Sequence, residues 1–209
     1  MSLPPLASQD DLEAALERTI SPATAALALR RASARVRKYC RQELTFHSAD
    51  TITVPGGGRL LRLPQMPVVV DADNPLTVTE LFGITNVEFT CLEGRDFTRL
   101  GSELTRADAF WAQTRLMGFP WYRPQGIWAD RVRITYSHGY TAVPDDLLDV
   151  VLDLATMSVT NPQALRAETI DDYSRTFAAE TIGAGTLSKE HKDALKPYRR
   201  SAFTLAPQQ

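Results

Sequence analysis

The chain has 209 residues, and its 23 Lys and Arg against 25 Asp and Glu leave a net charge of −2, which suggests neither a polyacidic protein nor a general nucleic-acid binder. A chain this long buries roughly 70% of its unfolded surface without help from a disulfide or metal, and its two isolated cysteines, Cys40 and Cys91, fit a reducing compartment, where such residues are small buried hydrophobes. No basic-then-apolar leader opens it and no apolar run approaches the ~18 residues of a membrane span, so the expectation is a soluble protein made in the cytoplasm, of one domain or two small ones.

Met1 to Ser8 reads as a loose end. Asp10 to about Thr19 reads as a short helix with Leu12, Ala15 and Leu16 on its apolar side. Ser21-Pro22 starts a second helix, because a capping serine followed by proline satisfies the first turn. That helix runs to about Gln42, with Ala25, Leu29, Ala32, Val36, Tyr39 and Cys40 at helical spacing and enough alanine for close approach of a neighbour. It is charge-polarised: Arg30, Arg31, Arg35, Arg37, Lys38 and Arg41 are basic, and no acid lies between Ser21 and Gln42. The face is either solvated or in contact with something negative. The candidates are an aspartate stripe further along the chain, in the same or a neighbouring subunit, and DNA phosphate.

From Leu44 to Ser137 the period changes. Short strands are predicted at Thr51 to Val54, Leu60 to Leu63, Val68 to Val70, Leu76 to Leu81, Val87 to Leu92 and Val132 to Tyr136. Turn signals at Pro55 to Gly58, Asp73-Asn74-Pro75 and Glu93 to Asp96 separate them. Phe110 to Trp128 holds all three tryptophans, with Phe110, Phe119 and Tyr122. It is either a loop folded over the β core by its own aromatics or an exposed contact surface.

Val132 to Pro162 organises the chain. Val132, Ile134 and Tyr136 alternate with Arg133 and Thr135, a half-buried strand. Pro144-Asp145-Asp146 then starts a helix, with proline in its first turn and two aspartates at the positive end of its dipole. Asp149, Asp153, Thr156 and Thr160 form a narrow polar stripe, so this helix should be buried on most sides, in a helical core or between subunits. Pro162 stops it. Leu165 to Phe177 reads as extended and Ala178 to Gly185 as flexible. Ser188 caps a last helix from Lys189 to Lys196, with Leu195 and Tyr198 packing inward. The tail from Ser201 to Gln209 has Phe203 and Leu205 as anchors and no fold of its own, so it is disordered or ordered by a partner.

Catalytic chemistry is not evident. The glycines at 56–58 lack the Lys-Ser or Lys-Thr of a phosphate loop. His47, His138 and His191 share no ligand spacing with the cysteines. Ser137 and His138 are adjacent on a strand, so they point to opposite faces and are poorly placed for proton transfer; His138 reads as a turn residue. The expectation is no enzyme, no cofactor and no metal.

Several segments, in order, resemble one family. They are the early Asp-Leu-Glu helix, the Ser21-Pro22 start of an Ala/Arg-rich helix ending at Val36 to Cys40, the strand entry Leu63 to Val68, the run from Ile134 to Ala155, Asn161-Pro162, Leu165 to Phe177, and Leu187-Ser188 leading to Leu195 through Arg200. The chain thereby resembles the head-to-tail adaptor (connector) proteins of long-tailed double-stranded DNA phages. The resemblance is strongest from Ile134 to Phe177 and weakest from Arg95 to Ala129, where the aromatic loop matches nothing in the family.

The resemblance implies an α+β fold: a helical bundle core (1–43 and 144–162), an inserted small antiparallel β region (44–143), and an extended C-terminal arm (163–209) with a short helix and tail. It implies a dodecameric ring in the virion neck. The ring would bind the portal protein on one side and a stopper or tail-completion protein on the other, with DNA passing through unread. Tyr198, Arg199, Arg200 and Phe203, basic with spaced aromatics, are the expected portal-docking residues. Arg30, Arg35 and Arg37 are expected to meet Asp149 or Asp153 within or between subunits. The alternatives are a stopper or tail-completion protein, against which the bracketing helices argue, and a DNA-binding packaging factor using the basic second helix.

Overall fold

The computed structural model describes residues 3–83, 87–107, 126–161, 167–170, 173–176 and 187–200. Among them are four α-helices, a five-stranded and a three-stranded antiparallel sheet, and a separate strand pair, an α+β fold. The chain divides into two compact units: Met1–Thr45 with Ala142–Gln209, and Phe46–Thr141.

In the discontinuous unit, helix α1 spans Gln9–Leu16 and α2 spans Pro22–Cys40. Ser8 caps α1 in a reciprocal capping box with Asp11, whose carboxyl is held below its usual range chiefly by the Ser8 hydroxyl. The helix is shorter than its sequence suggests: Glu17 already takes the left-handed conformation, and Ala15 is exposed while Leu12 is buried. Ser21 caps α2 by accepting from the Thr24 amide at 3.2 Å, with proline at the first turn as expected. Its buried face is Ala25, Ala28, Leu29, Ala32, Val36 and Cys40, small enough for close approach, and this helix packs most extensively on α3, Asp145–Thr160. Helix α3 buries Leu147, Val150, Val151, Leu154 and Ala155. Pro144 stands at its N-cap and contributes no side-chain bond, so Asp145 and Asp146 supply the favourable charge there.

The segment read as extended from Leu165 to Phe177 contributes β9, Ala167–Ile170, and β10, Tyr173–Thr176, which pair antiparallel with each other. Helix α4 is Lys189–Ala194, followed by a 3-10 turn at Lys196–Tyr198. Leu195 between them is fully buried, as expected, and Tyr198 is half-buried.

The described residues of the continuous unit form β-strands and loops without a helix. Strands β1 (His47–Pro55), β2 (Leu60–Arg62), β3 (Val68–Val69), β4 (Thr77–Phe82) and β5 (Val87–Cys91) lie close to their expected places. Strand β8, Arg131–His138, buries Val132, Ile134 and Tyr136 and half-exposes Arg133 and Thr135, the alternation legible in the sequence. The larger sheet runs β1-β8-β4-β5, with β3 also paired to β8. The smaller sheet corrects the sequence reading: β6 (Phe97–Leu100) and β7 (Glu103–Arg106) form a hairpin that was not expected, and β7 also pairs with β2. Its turn signal is Gly101-Ser102, where Gly101 takes φ +59, a conformation an L side chain rarely adopts.

A buried ion pair joins the two sheets. Glu80 on β4 is 0% exposed and Arg106 on β7 is 4% exposed. Arg106 donates from Nε to Oε1 and from Nη2 to Oε2, each at 3.1 Å. Nη1 donates to the Asp96 carbonyl, and the Ala129 amide donates to Glu80 Oε1 at 3.2 Å. Trp128, 1% exposed, lies with its ring centroid 5.4 Å from the guanidinium and donates to the Leu104 carbonyl at 3.3 Å. The chain around Gly56 runs so close to this region that a Cβ there would stand 1.8 Å from the Ala129 carbonyl oxygen. Of the aromatic segment, Trp128 folds into the β core; Phe110, Trp111, Phe119, Trp121 and Tyr122 lie outside the described residues.

Arg106→Met should therefore cost about 3–5 kcal/mol, because it strands a buried carboxylate. Glu80→Leu with Arg106→Met should recover part of that loss. Urea unfolding followed by tryptophan fluorescence reads this, since all three tryptophans fall between Phe46 and Thr141. A double variant no more stable than Arg106→Met alone would contradict it.

Candidate assembly surface

The residues from Ser188 to Arg200 were expected to pair a capped helix with basic residues of little fold. The helix is there, but the basic end is seated on the chain's own helices. Ser188 caps α4, and its amide donates to Nδ1 of His191 at 3.4 Å. With Nδ1 accepting, Nε2 carries the proton and donates to Asp153 Oδ2 of α3 at 2.9 Å. The Tyr198 hydroxyl lies 2.6 and 2.7 Å from the two carboxylate oxygens of Asp146. Gln42 donates to the Tyr198 carbonyl at 2.7 Å, Tyr39 to the Lys192 carbonyl at 3.2 Å, and the Arg200 amide to the Cys40 carbonyl at 2.9 Å. Arg199 stacks its guanidinium 5.2 Å from the Tyr39 ring centroid. The segment is a hasp across the C-terminal end of α2 and the first turns of α3. Its cations meet the negative end of the α2 dipole.

Tyr198, Arg199 and Arg200 are thus brought together with Tyr39, Cys40 and Gln42. Phe203 lies outside the described residues. Both arginines are exposed, beside exposed Lys38 and Arg41. Nothing in the spacing of the residues announces the Asp146–Tyr198 bond. The His191–Asp153 bond had a faint signal, a serine cap followed three residues later by histidine where a glutamate would be usual.

The expected pairing of Arg30, Arg35 and Arg37 with Asp149 or Asp153 is not made within the chain among the described residues. Arg37 turns to its own chain ends, donating to the Glu43 carbonyl at 2.7 Å and the Pro4 carbonyl at 2.6 Å. Burial pulls its guanidinium below the usual range, against the opposing pull of Glu43. Asp153 belongs to His191. Arg35 is half-buried, and Arg30 and Asp149 are exposed.

In the β unit, His138 is not a turn residue. It closes β8, 1% exposed, stacked on His47 at 5.8 Å between centroids, with Nε2 3.3 Å from Asp50. Ser137 faces elsewhere: its hydroxyl accepts from the Ala49 amide and donates to Asn74, both at 3.0 Å. The two are not a proton-transfer pair. Among the described residues no group of three or more His, Cys, Asp or Glu is placed to hold a metal ion, and no helix is long and apolar enough to cross a membrane. Cys40 and Cys91 are both free and buried. Burial pushes the Cys40 thiol up to about 11, with Arg199 pulling against it. Burial pushes Cys91 up further, with Glu80 adding to it.

No protein-family model matches the chain, and no curated protein is significantly similar to it.

Two outcomes follow from this geometry. Tyr198→Phe should lower amide-exchange protection across 189–198 by a factor of about ten, since a hydrogen bond to a charged group contributes roughly 1.5–3 kcal/mol when sheltered and less here at half-burial; α2 amides should not change. Unaltered protection of α4 would contradict it. The Cys40 thiol ionises near 9.0 when exposed but at about 11 when folded. As pH rises between those values the unfolded chain loses this proton first, so stability falls with pH across that window. Cys40→Ala should flatten that part of the pH–stability curve, and an unchanged slope would contradict the assignment.

Proposed function

We propose that this chain is a head-to-tail adaptor of a long-tailed double-stranded DNA phage or prophage. It is a non-catalytic virion protein that forms a dodecameric ring in the neck, between the portal protein and a stopper or tail-completion protein. In this reading the discontinuous unit is a helical bundle core, the β unit is an insertion into it, and the residues after Pro162 are an arm. DNA passes through the ring without sequence recognition.

One observation carries the reading beyond the ordered resemblance in sequence. The helices on either side of the β unit belong to one compact unit, which supports reading the β region as an insertion between them. That interrupted plan is what the resemblance implies, and it is unusual for a β-rich stopper. The hasp supports it as well. It presents Lys196, Arg199 and Arg200 to solvent from a fixed platform, as a docking surface for the portal requires, and leads into the segment beginning at Ser201. Preorganised side chains lose less entropy on binding than side chains on a free tail.

A second reading rests on a different feature. Arg30, Arg31, Lys38 and Arg41 are all exposed on α2, which fits a packaging factor that holds DNA phosphate.

Light scattering on the protein mixed with its cognate portal separates the two. The adaptor reading expects a complex heavier than the portal by roughly twelve subunits. It also expects Arg199→Glu with Arg200→Glu to weaken that complex at unchanged fold. No association with portal, together with duplex DNA binding that falls steeply with salt, would replace the adaptor by the packaging factor.

A further inference from the structure

We infer that the exposed face of α2 is the seat for the aspartate ridge of α3 from a second copy of this chain, a head-to-tail contact between subunits. The inference rests on the ring reading and names the surfaces that close the ring.

The α2 face runs the length of a 19-residue helix and carries Ala23, Ala26, Leu27, Arg30, Ala34 and Lys38, all exposed. Arg30, Ala34 and Lys38 fall at i, i+4 and i+8, so the two cations stand about 12 Å apart along the axis with only a methyl between them. On α3, Asp145 and Asp149 are exposed one turn apart, about 6 Å along the axis, while Asp153 on the next turn is already bonded to His191. Neither Arg30 nor Asp149 makes a hydrogen bond or ion pair with the described residues, so each charge remains to be met from outside. The faces also match in shape. Beside Arg30 lies a groove of about 410 Å3 lined by Leu3, Pro4, Pro5, Ala23 and Ala26. Beside Asp149 on α3, Leu148 and Leu152 are left half-buried, an apolar edge one turn apart that such a groove would accept. Alanine at three of the α2 positions allows the close approach this packing needs.

Arg30 and Lys38 on one face and Asp145 and Asp149 on the other carry opposite charges, so neither set pairs with its own kind. A two-fold dimer through either face would set like charges together. In the ring reading the α2–α3 contact runs head to tail, and its repetition gives a ring or a filament according to whether the rotation closes. Charge pairs of this sort set register and partner choice more than they add raw affinity.

The test uses the full chain at high concentration, with and without portal. Arg30→Cys protein mixed with Asp149→Cys protein and mildly oxidised should give mixed disulfide dimers in at least about fivefold excess over either homodimer, because the native thiols are both buried. Arg30→Glu with Lys38→Glu, or Asp145→Lys with Asp149→Lys, should each raise the concentration needed for self-association about tenfold. The chain carrying all four changes should recover most of it. Homodimers equal to or above mixed dimers, or single-face variants that assemble like the parent, would overturn the inference. Portal binding that persists in that case would leave the adaptor reading standing, whereas loss of portal binding by the parent chain would remove that reading itself. If the α2 variants lose only duplex DNA binding and keep their cross-linking pattern, the face serves phosphate and the inference fails.

Discussion

A carboxylate and a guanidinium taken out of water together constrain the β unit more than any other contact. Each of Glu80 and Arg106 is costly to bury alone, and their mutual attraction offsets that cost only with good geometry and every remaining polar atom satisfied. The unit is arranged to meet that condition. Both carboxylate oxygens face the guanidinium, the Ala129 amide takes one of them, and the third guanidinium nitrogen finds the Asp96 carbonyl. Asp96 is itself 0% exposed, and its carboxylate accepts from the Leu92 amide at 2.9 Å and from Arg95 at 2.7 Å. The two sheets share no strand and meet through this cluster and the apolar side chains around it, Phe97, Leu104 and Trp128 among them. Gly56 follows from the same constraint, because the strand that leaves β1 must pass the Ala129 backbone at a distance no Cβ allows.

The helical unit solves a different problem. Helix α2 sets an alanine-rich face against the leucine and valine side chains of α3, which gives close packing along the pair. The hasp closes one end. It does so with polar bonds to Asp146, Asp153, Gln42 and the last carbonyls of α2, and with one fully buried apolar side chain, Leu195. Four of the contacts are hydrogen bonds at partly exposed positions. A segment held this way opens at lower free energy than the helix pair beneath it. In the proposed adaptor that is a useful property, since a platform with a shallow hold can adjust to a partner without disturbing the core.

Much of this was legible in the sequence, and the parts that were not have a common cause. Ser21-Pro22 and Ser188 fixed their helix starts because capping is local chemistry. Val132, Ile134 and Tyr136 revealed a half-buried strand because alternation is local too. The hairpin Phe97–Arg106 was hidden because its strands are four residues each, too short for Phe-Thr-Arg-Leu and Glu-Leu-Thr-Arg to show a clean alternation around the Gly-Ser turn. Glu80 looked like an ordinary strand polar residue and Arg106 lay in no expected strand; their burial depends on each other across 26 residues of chain. His138 looked like a turn residue because Gly139 follows it, yet pairing with β1 and β3 carries the strand two residues beyond Tyr136. The charges of α2 were visible, but their partners were not: Arg37 serves the Pro4 and Glu43 carbonyls, a backbone role that no charge pattern announces.

Removing Arg37 and Asp153 from the set of unmet charges sharpens what remains. Sequence alone allowed the basic and acidic helices to satisfy each other inside one subunit, which would make their charge segregation a matter of folding. The packing makes that unnecessary. Helices α2 and α3 meet through alanine, leucine and valine, and each turns its charged face away from the other. A charged face that folding does not use is free to be shaped by solubility or by association. Solubility is served best by mixed signs, because a single-sign field on one face invites unspecific partners. The exposed charges of opposite sign that remain, Arg30 on α2 and Asp149 on α3, are what the self-association proposed above would use.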